Sequence, residues 1–193
     1  MKFSYPPGAT PIDPDEAQGL MPPHITLQRE LNEWEQNNIL EGMQWATPRR
    51  RKDLLSDRFI RDLHTHMFNR TWTWAGQFRK SDKNIGVEWT RIPEGIRNLC
   101  DDAKHWIANS TYPKIELAVR FHHKLVSIHP FPNGNGRHSR LMADFIVEAL
   151  GEGQFTWGST DLTLATGERQ RYLKALKDAD GGNIQPLIDF ACT

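Results

Sequence analysis

Cysteine is nearly absent: Cys100 and Cys192 are the only two in 193 residues, and they stand in no paired or metal-binding spacing. That excludes a disulfide scaffold and a cysteine-based zinc site as the source of order. Net charge is absent too, since 24 basic residues cancel 24 acidic ones. No global field therefore draws the chain to nucleic acid or to an anionic membrane, and any anion must be held by a local arrangement. Long apolar runs are missing, and neither a membrane span nor a signal peptide is read, which makes a cytoplasmic location the expectation. No internal repeat or low-complexity stretch is evident.

What is present is the stock of one globular domain, with 38% hydrophobic and 25% charged residues. Proline is concentrated at the start, as Pro6, Pro7, Pro11, Pro14, Pro22 and Pro23. This disfavours regular structure and predicts an extended arm over residues 1–24, with one domain over 25–193. A helix is predicted over 26–46, capped by Thr26, with Leu31, Trp34, Asn38, Glu41 and Trp45 tracing one stripe. A carboxylate on that stripe is costly unless a cation or a set of donors meets it, so Glu41 requires a partner.

A basic loop at 47–52 follows, then a helix beginning near Asp53 or Ser56 that places Leu55, Phe59, Leu63 and Met67 on one face. His64 and His66 in it read as structural or exposed, and Trp72 and Trp74 as core anchors. Between residues 77 and 93, Ile85, Val87 and Trp89 alternate with Gly86 and Glu88, after turn residues Asp82, Lys83 and Asn84. That alternation predicts a β-hairpin. Further helices are predicted from Pro93, over 115–128, from just after Gly136 to 150 and over 164–177, with a short terminal helix or turn at 184–190. His122 and Tyr172 read as core residues.

Between two of the most apolar helices lies a polar, glycine-rich stretch, residues 129–140. Pro130 and Pro132 stop the first helix, leaving His129 at its C-terminal edge, where the partial negative charge favours a protonated ring. Gly134 and Gly136 are expected to take backbone angles closed to other residues and to turn successive N–H groups toward one centre. The next helix adds its unpaired N–H groups and the positive end of its dipole, which makes an anion cradle. Arg137 and Arg140, three apart, should share a face and reach one polyanion together. Phe131 should drop into the core and anchor the loop.

The twelve residues from His129 to Arg140 resemble the signature of the Fic family, His-Pro-Phe-x-(Asp/Glu)-Gly-Asn-Gly-Arg-x-x-Arg, and depart from its fixed positions only at Asn133. The whole chain is similar to the bacterial group of Fic proteins called mobile mystery protein B. The resemblance implies an all-α fold, a helical bundle around a central helix–loop–helix with one small β-hairpin as a flap. It also implies an enzyme that transfers AMP from ATP to a hydroxyl of a target protein. In that reading His129 is the base; Gly134, Asn135 and Gly136 hold the phosphates, and Arg137 and Arg140 orient the distal ones. Position 133 would ligate Mg²⁺, for which Asn133 offers only a neutral oxygen. Gly136 stands where a phosphate-transferring branch has lysine, which favours AMP transfer.

The resemblance further implies that Ile85, Gly86 and Val87 hold the target segment by strand addition. The run Asn37 to Gly42 looks like the family's N-terminal inhibitory pattern, (Ser/Thr)-x-x-x-Glu-(Gly/Asn), so Glu41 in helix 26–46 is expected to pair with Arg140 and restrain the enzyme. Implied partners are a target bearing a Ser, Thr or Tyr hydroxyl and a small helix-turn-helix protein, with monomer and homodimer both open. Neither membrane nor direct nucleic-acid binding is implied. Two alternatives stay open: transfer of phosphate or another nucleotide group, and a catalytically weak nucleotide-binding regulator.

Overall fold

The computed structural model describes residues 11–47, 53–159 and 167–193. They form helices α1 (Pro14–Ala17), α2 (Gln28–Ala46), α3 (Asp57–Phe68), α4 (Ile92–Ala108), α5 (Lys114–Ile128), α6 (Asn135–Ala149), α7 (Gly167–Asp180) and α8 (Gln185–Ala191). The all-α expectation holds. Helix α5 packs on α6 at the centre, with α4 and α8 also against α5, and α2 packs along α3. One apolar cluster runs through α2 to α6, and a smaller one gathers Val119, Ala143, Trp157, Tyr172, Leu187 and Phe190 around α7 and α8. Because α5 and α6 contribute to both, the loop joining them sits in the middle of the protein. No helix among the described residues is long and apolar enough to cross a membrane.

Local chemistry explains most boundaries. Ser56 caps α3 by accepting from Phe59 N–H at 3.0 Å. Pro93 lies in the first turn of α4, where its missing N–H costs nothing. The predicted helix over 164–177 is found as α7, three residues of that prediction and the basic residues 48–52 lying outside the described residues.

Three expectations change. The arm is not wholly irregular: Asp13 and Glu16 cap the short α1 reciprocally, with Pro14 in its first turn. The segment then docks on the body through an isolated antiparallel bridge between Leu20 and Trp72. Secondly, no β-hairpin forms among described residues 77–89, which run as bends into a short 3-10 turn at Trp89–Arg91. The alternation of apolar residues there reflects partial exposure, Ile85 being 44% and Trp89 42% exposed.

Thirdly, the stripe on α2 is rotated. Its buried residues are Leu31, Glu35, Asn38, Ile39, Gly42 and Ala46, whereas Trp34 is exposed and Glu41 lies at the surface. The register that packs brings glycine to the closest approach of α2 and α3: a β-carbon on Gly42 would lie 2.9 Å from the Met67 backbone. Gly42→Ala should therefore cost about 1–3 kcal/mol through overpacking, outweighing the ~1 kcal/mol that alanine gains in an open helix. Urea unfolding of the two proteins measures the difference; equal midpoints would show that the helices separate freely.

Candidate active site

His129 closes α5 in the left-handed conformation, φ 55° and ψ 59°. For a residue with a β-carbon this costs ~1–2 kcal/mol, so neighbouring contacts must hold it. They come from residues 79–87. The Arg79 Nε donates to the His129 carbonyl at 2.7 Å, and the Arg79 backbone N–H donates to Pro130 O at 2.9 Å. The same guanidinium donates to the Ser81 carbonyl at 2.7 Å and to the Val87 carbonyl, while Val87 N–H donates to Ile128 O at 3.3 Å. Arg79 is buried with each nitrogen of its guanidinium engaged, so it does the work that a strand ladder was expected to do. No periodicity marks it in the sequence, and it was not singled out there.

Gly86 lies directly on His129. It has φ +101°, and a β-carbon there would meet the His129 Cβ at 2.7 Å. Gly86 thus borders His129, whereas strand addition does not suit Val87, whose N–H and carbonyl are both engaged internally. Ile85 is left exposed beside them.

The other side of the loop is braced from below. Phe131 is fully buried between helices, worth roughly 1.5–3 kcal/mol, and stacks on His64 with ring centres 3.7 Å apart. His64 accepts Gly76 N–H at Nδ1, 3.0 Å, and so presents Nε2–H to the Asn133 carbonyl at 3.1 Å. That arrangement needs a neutral ring, and burial holds the His64 pKa well below its ordinary value. Asn135, buried, donates from its amide to Phe131 O at 2.8 Å and accepts Phe131 N–H at 2.9 Å. Its side chain is a clamp on the loop, which leaves its backbone N–H as the group that can face an anion.

Gly134 has φ +78°, and a β-carbon on it would strike Phe68 at 2.6 Å, so glycine is required twice over. Gly136 is different from expectation, since it is an ordinary second residue of α6. A β-carbon there would meet nothing within 4 Å except Arg140 Nη1 at 3.6 Å, so its missing side chain leaves the helix end open beside a guanidinium. The first helical bond of this region runs from His138 N–H to Gly134 O, so the N–H groups of 135–137 precede the helical ladder. A cradle for an anion is thus present, with the dipole of a 15-residue helix behind it.

The two arginines part company. Arg140 lies over the Tyr172 ring, 5.4 Å from its centre. Arg137 turns the other way, donating to Glu35 of α2 at 2.6 Å and to Asn133 Oδ1 at 3.3 Å. Glu41 does not pair with Arg140: its carboxylate meets Arg70 at 2.9 Å on the surface. One helical position after another faces a different neighbour, and the rotation of α2 carries Glu41 outward and Glu35 inward. Asp144, four residues beyond Arg140, accepts from Trp157 Nε1 at 3.0 Å, and burial pushes its carboxyl up to about 7.

The donors at position 133 do not fit a magnesium site built by the protein. Asn133 Oδ1 is neutral, already accepts Gly134 N–H at 2.7 Å, and has the Arg137 cation beside it. No group of three potential ligands among His, Cys, Asp and Glu occurs among the described residues.

His129 itself is 5% exposed. Burial pushes its pKa down to about 4, opposed by a bond to the Val126 carbonyl and aided by the Arg79 and Lys83 cations. The dipole of α5 does not prevail, and the ring is a neutral base near pH 7 rather than the imidazolium expected. NMR titration of the imidazoles should show His129 unprotonated down to about pH 5, gaining its proton near pH 4; titration near 6.5 would place the ring in water.

The chain is similar to known proteins in sequence and in fold. A model described as the Fic/DOC family matches residues 54–147. The protein adenylyltransferase Fic of Drosophila mojavensis is 31% identical over 120 residues, covering 60% of this chain and 22% of that protein. The chain thus spans about a fifth of the length of that relative. The N-terminal Fic domain of a Bartonella quintana cell filamentation protein superposes with TM-score 0.69 at 19% identity, over 90% of each chain. A second structure of that Fic domain, with bound ADP, gives 0.66 at 20% identity over 88% and 86%. At these identities the structures establish the fold alone.

Proposed function

The chain belongs to the Fic/DOC family across residues 54–147, which carry the motif loop and the floor beneath it, and from that premise we propose that it transfers AMP from ATP to a hydroxyl side chain of a protein target. The observation that carries this is a buried, neutral imidazole fixed at one end of a loop whose other end opens into an uncapped helix N-terminus. The similarity to proteins named adenylyltransferases supports the same group transfer, and the ADP bound to a similar fold supports a nucleotide as donor.

In the proposed step the target oxygen attacks the α-phosphorus of ATP, and the bond to the departing pyrophosphate breaks. His129 takes the hydroxyl proton. Its Nδ1 is buried, so Nε2 is the nitrogen assigned to that task. N–H groups at the start of α6 stabilise the charge that develops on the phosphate oxygens, and Arg140 supports the distal phosphates. Ile85 offers an apolar contact for the target segment, while Gly86 lets the backbone of its own segment pack directly on His129.

Glu41 takes no part in restraining this reaction, being held by an exposed ion pair with Arg70. A low-turnover nucleotide binder is the second reading, favoured by the neutral donor at Asn133 and the engaged Arg137. Incubation with labelled ATP and cell lysate, followed by intact-mass analysis of labelled protein, separates the outcomes: an AMP increment supports the proposal, a phosphate increment or no product overturns it. His129→Ala should lower transfer at least about a hundredfold while ATP affinity stays within a few-fold; persistent transfer would remove the base assignment. In the same assay Glu41→Gly should leave the rate within about twofold, as for loss of an exposed ion pair, and a large increase would restore Glu41 as a restraint.

A further inference from the structure

The geometry points to Glu35 as a positioning residue for the anion loop, one that uses Arg137 as an internal brace instead of leaving it to a substrate phosphate; this rests on the transfer reading above. Glu35 lies on α2, before the matched family segment, and is 4% exposed. One carboxylate oxygen accepts Trp72 Nε1–H at 2.7 Å; the other accepts Arg137 Nη1–H at 2.6 Å. From Arg137 the chain of contacts continues to Asn133 Oδ1, which also receives Gly134 N–H. The carboxylate is therefore linked through two side chains, Arg137 and Asn133, to the turn that sets the backbone donors. Phe68 completes the setting, with the Arg137 guanidinium 5.0 Å above its ring and its edge against Gly134.

A removable block would stand on exposed groups and leave without disturbing the core. Glu35 does neither. It shares a helix face with Leu31, Ile39 and Gly42 in the α2–α3 packing, and its second partner belongs to Trp72, 1% exposed. Withdrawing it would open that packing and leave Arg137 unpaired in a largely desolvated place, where a charge without a partner is strongly unfavourable. The pair is permanent in the folded protein, so its effect on the site is constant: it holds the Asn133–Gly134 turn in place.

The test is Glu35→Gln, which keeps shape and removes charge, together with Trp72→Phe, which keeps the ring and removes only its donor, and Glu35→Asp as a conservative rescue. Amide hydrogen exchange at 133–137 should accelerate at least about tenfold in Glu35→Gln while the exchange of α5 is unchanged, and partly recover in Glu35→Asp. Adding Arg137→Met to Glu35→Gln should accelerate it no further, as expected if the two act through one contact. ATP binding should not tighten, and kcat for transfer should fall about ten- to a hundredfold with a smaller change in KM, the signature of misplaced donors. Trp72→Phe should reproduce the exchange effect at smaller amplitude. Unchanged exchange at 133–137, tighter ATP binding or faster transfer in Glu35→Gln would each overturn the proposal. Absence of any transfer in the parent protein would count against the proposed reaction alone, because exchange and binding read the brace without it.

Discussion

A polar loop buried between two apolar helices must find its hydrogen-bond partners among side chains, and that requirement organises the fold around residues 129–135. Water cannot satisfy the loop where Phe131, His129 and Asn135 are buried, and an unpaired backbone group there would cost about 1–3 kcal/mol. Each surrounding element supplies one answer. Arg79 and Val87 serve the backbone around His129, His64 of α3 serves Asn133, and Asn135 serves Phe131. Removing regular structure from residues 77–89 is the corollary, because their carbonyls converge on one guanidinium instead of on a neighbouring strand.

The same burial decides the chemistry of His129. A helix C-terminus favours an imidazolium by about 0.3–1 kcal/mol at the surface and up to ~2 kcal/mol when partly buried. Lowering a pKa from 6.5 to about 4 corresponds to roughly 3 kcal/mol in the opposite direction. Desolvation therefore wins, and the cations Arg79 and Lys83 add to it. Lys83 is itself held by Asp13 and Glu16, both at 2.6 Å, so the docked N-terminal segment contributes to the electrostatic surroundings of His129.

Much of this was legible in the sequence. Helical periodicity located α2 to α6, proline and glycine located the loop, and the twelve-residue motif located the site. What was not legible has specific causes. The stripe on α2 was traced through Trp34 and Trp45 because tryptophan reads as core, yet Trp34 packs at the edge, donating to Arg70 O at 3.2 Å. The alternative register through Leu31, Glu35, Asn38 and Gly42 has two polar members and a glycine, and only its partners Trp72, Arg137 and the Met67 backbone make it a core face. A buried glutamate cannot be told from a surface one without the cation that meets it, and Arg137 lies 102 residues away. Arg79 was invisible for a related reason, since its close acceptors are the backbone carbonyls of His129, Ser81 and Val87, which no side-chain pattern marks.

Helical spacing predicted that Arg137 and Arg140 share a face, but their side chains turn to different neighbours. Helix α2 lies on one flank and offers a carboxylate, while Tyr172 of α7 lies on the other and offers a ring. Cation–aromatic contact of this kind is worth about 0.5–2 kcal/mol, and Arg140 also hydrogen-bonds the Tyr172 hydroxyl, whereas Arg137 is committed to a short ion pair with a buried carboxylate. A polyanion placed there would meet one arginine, the first-turn amides of α6 and a neutral asparagine, a less positive cradle than the motif suggests. Charge stabilisation then rests more on how exactly oriented the amides are than on how many cations surround them, and orientation is what Asn135, His64 and Arg137 each constrain from beneath the loop.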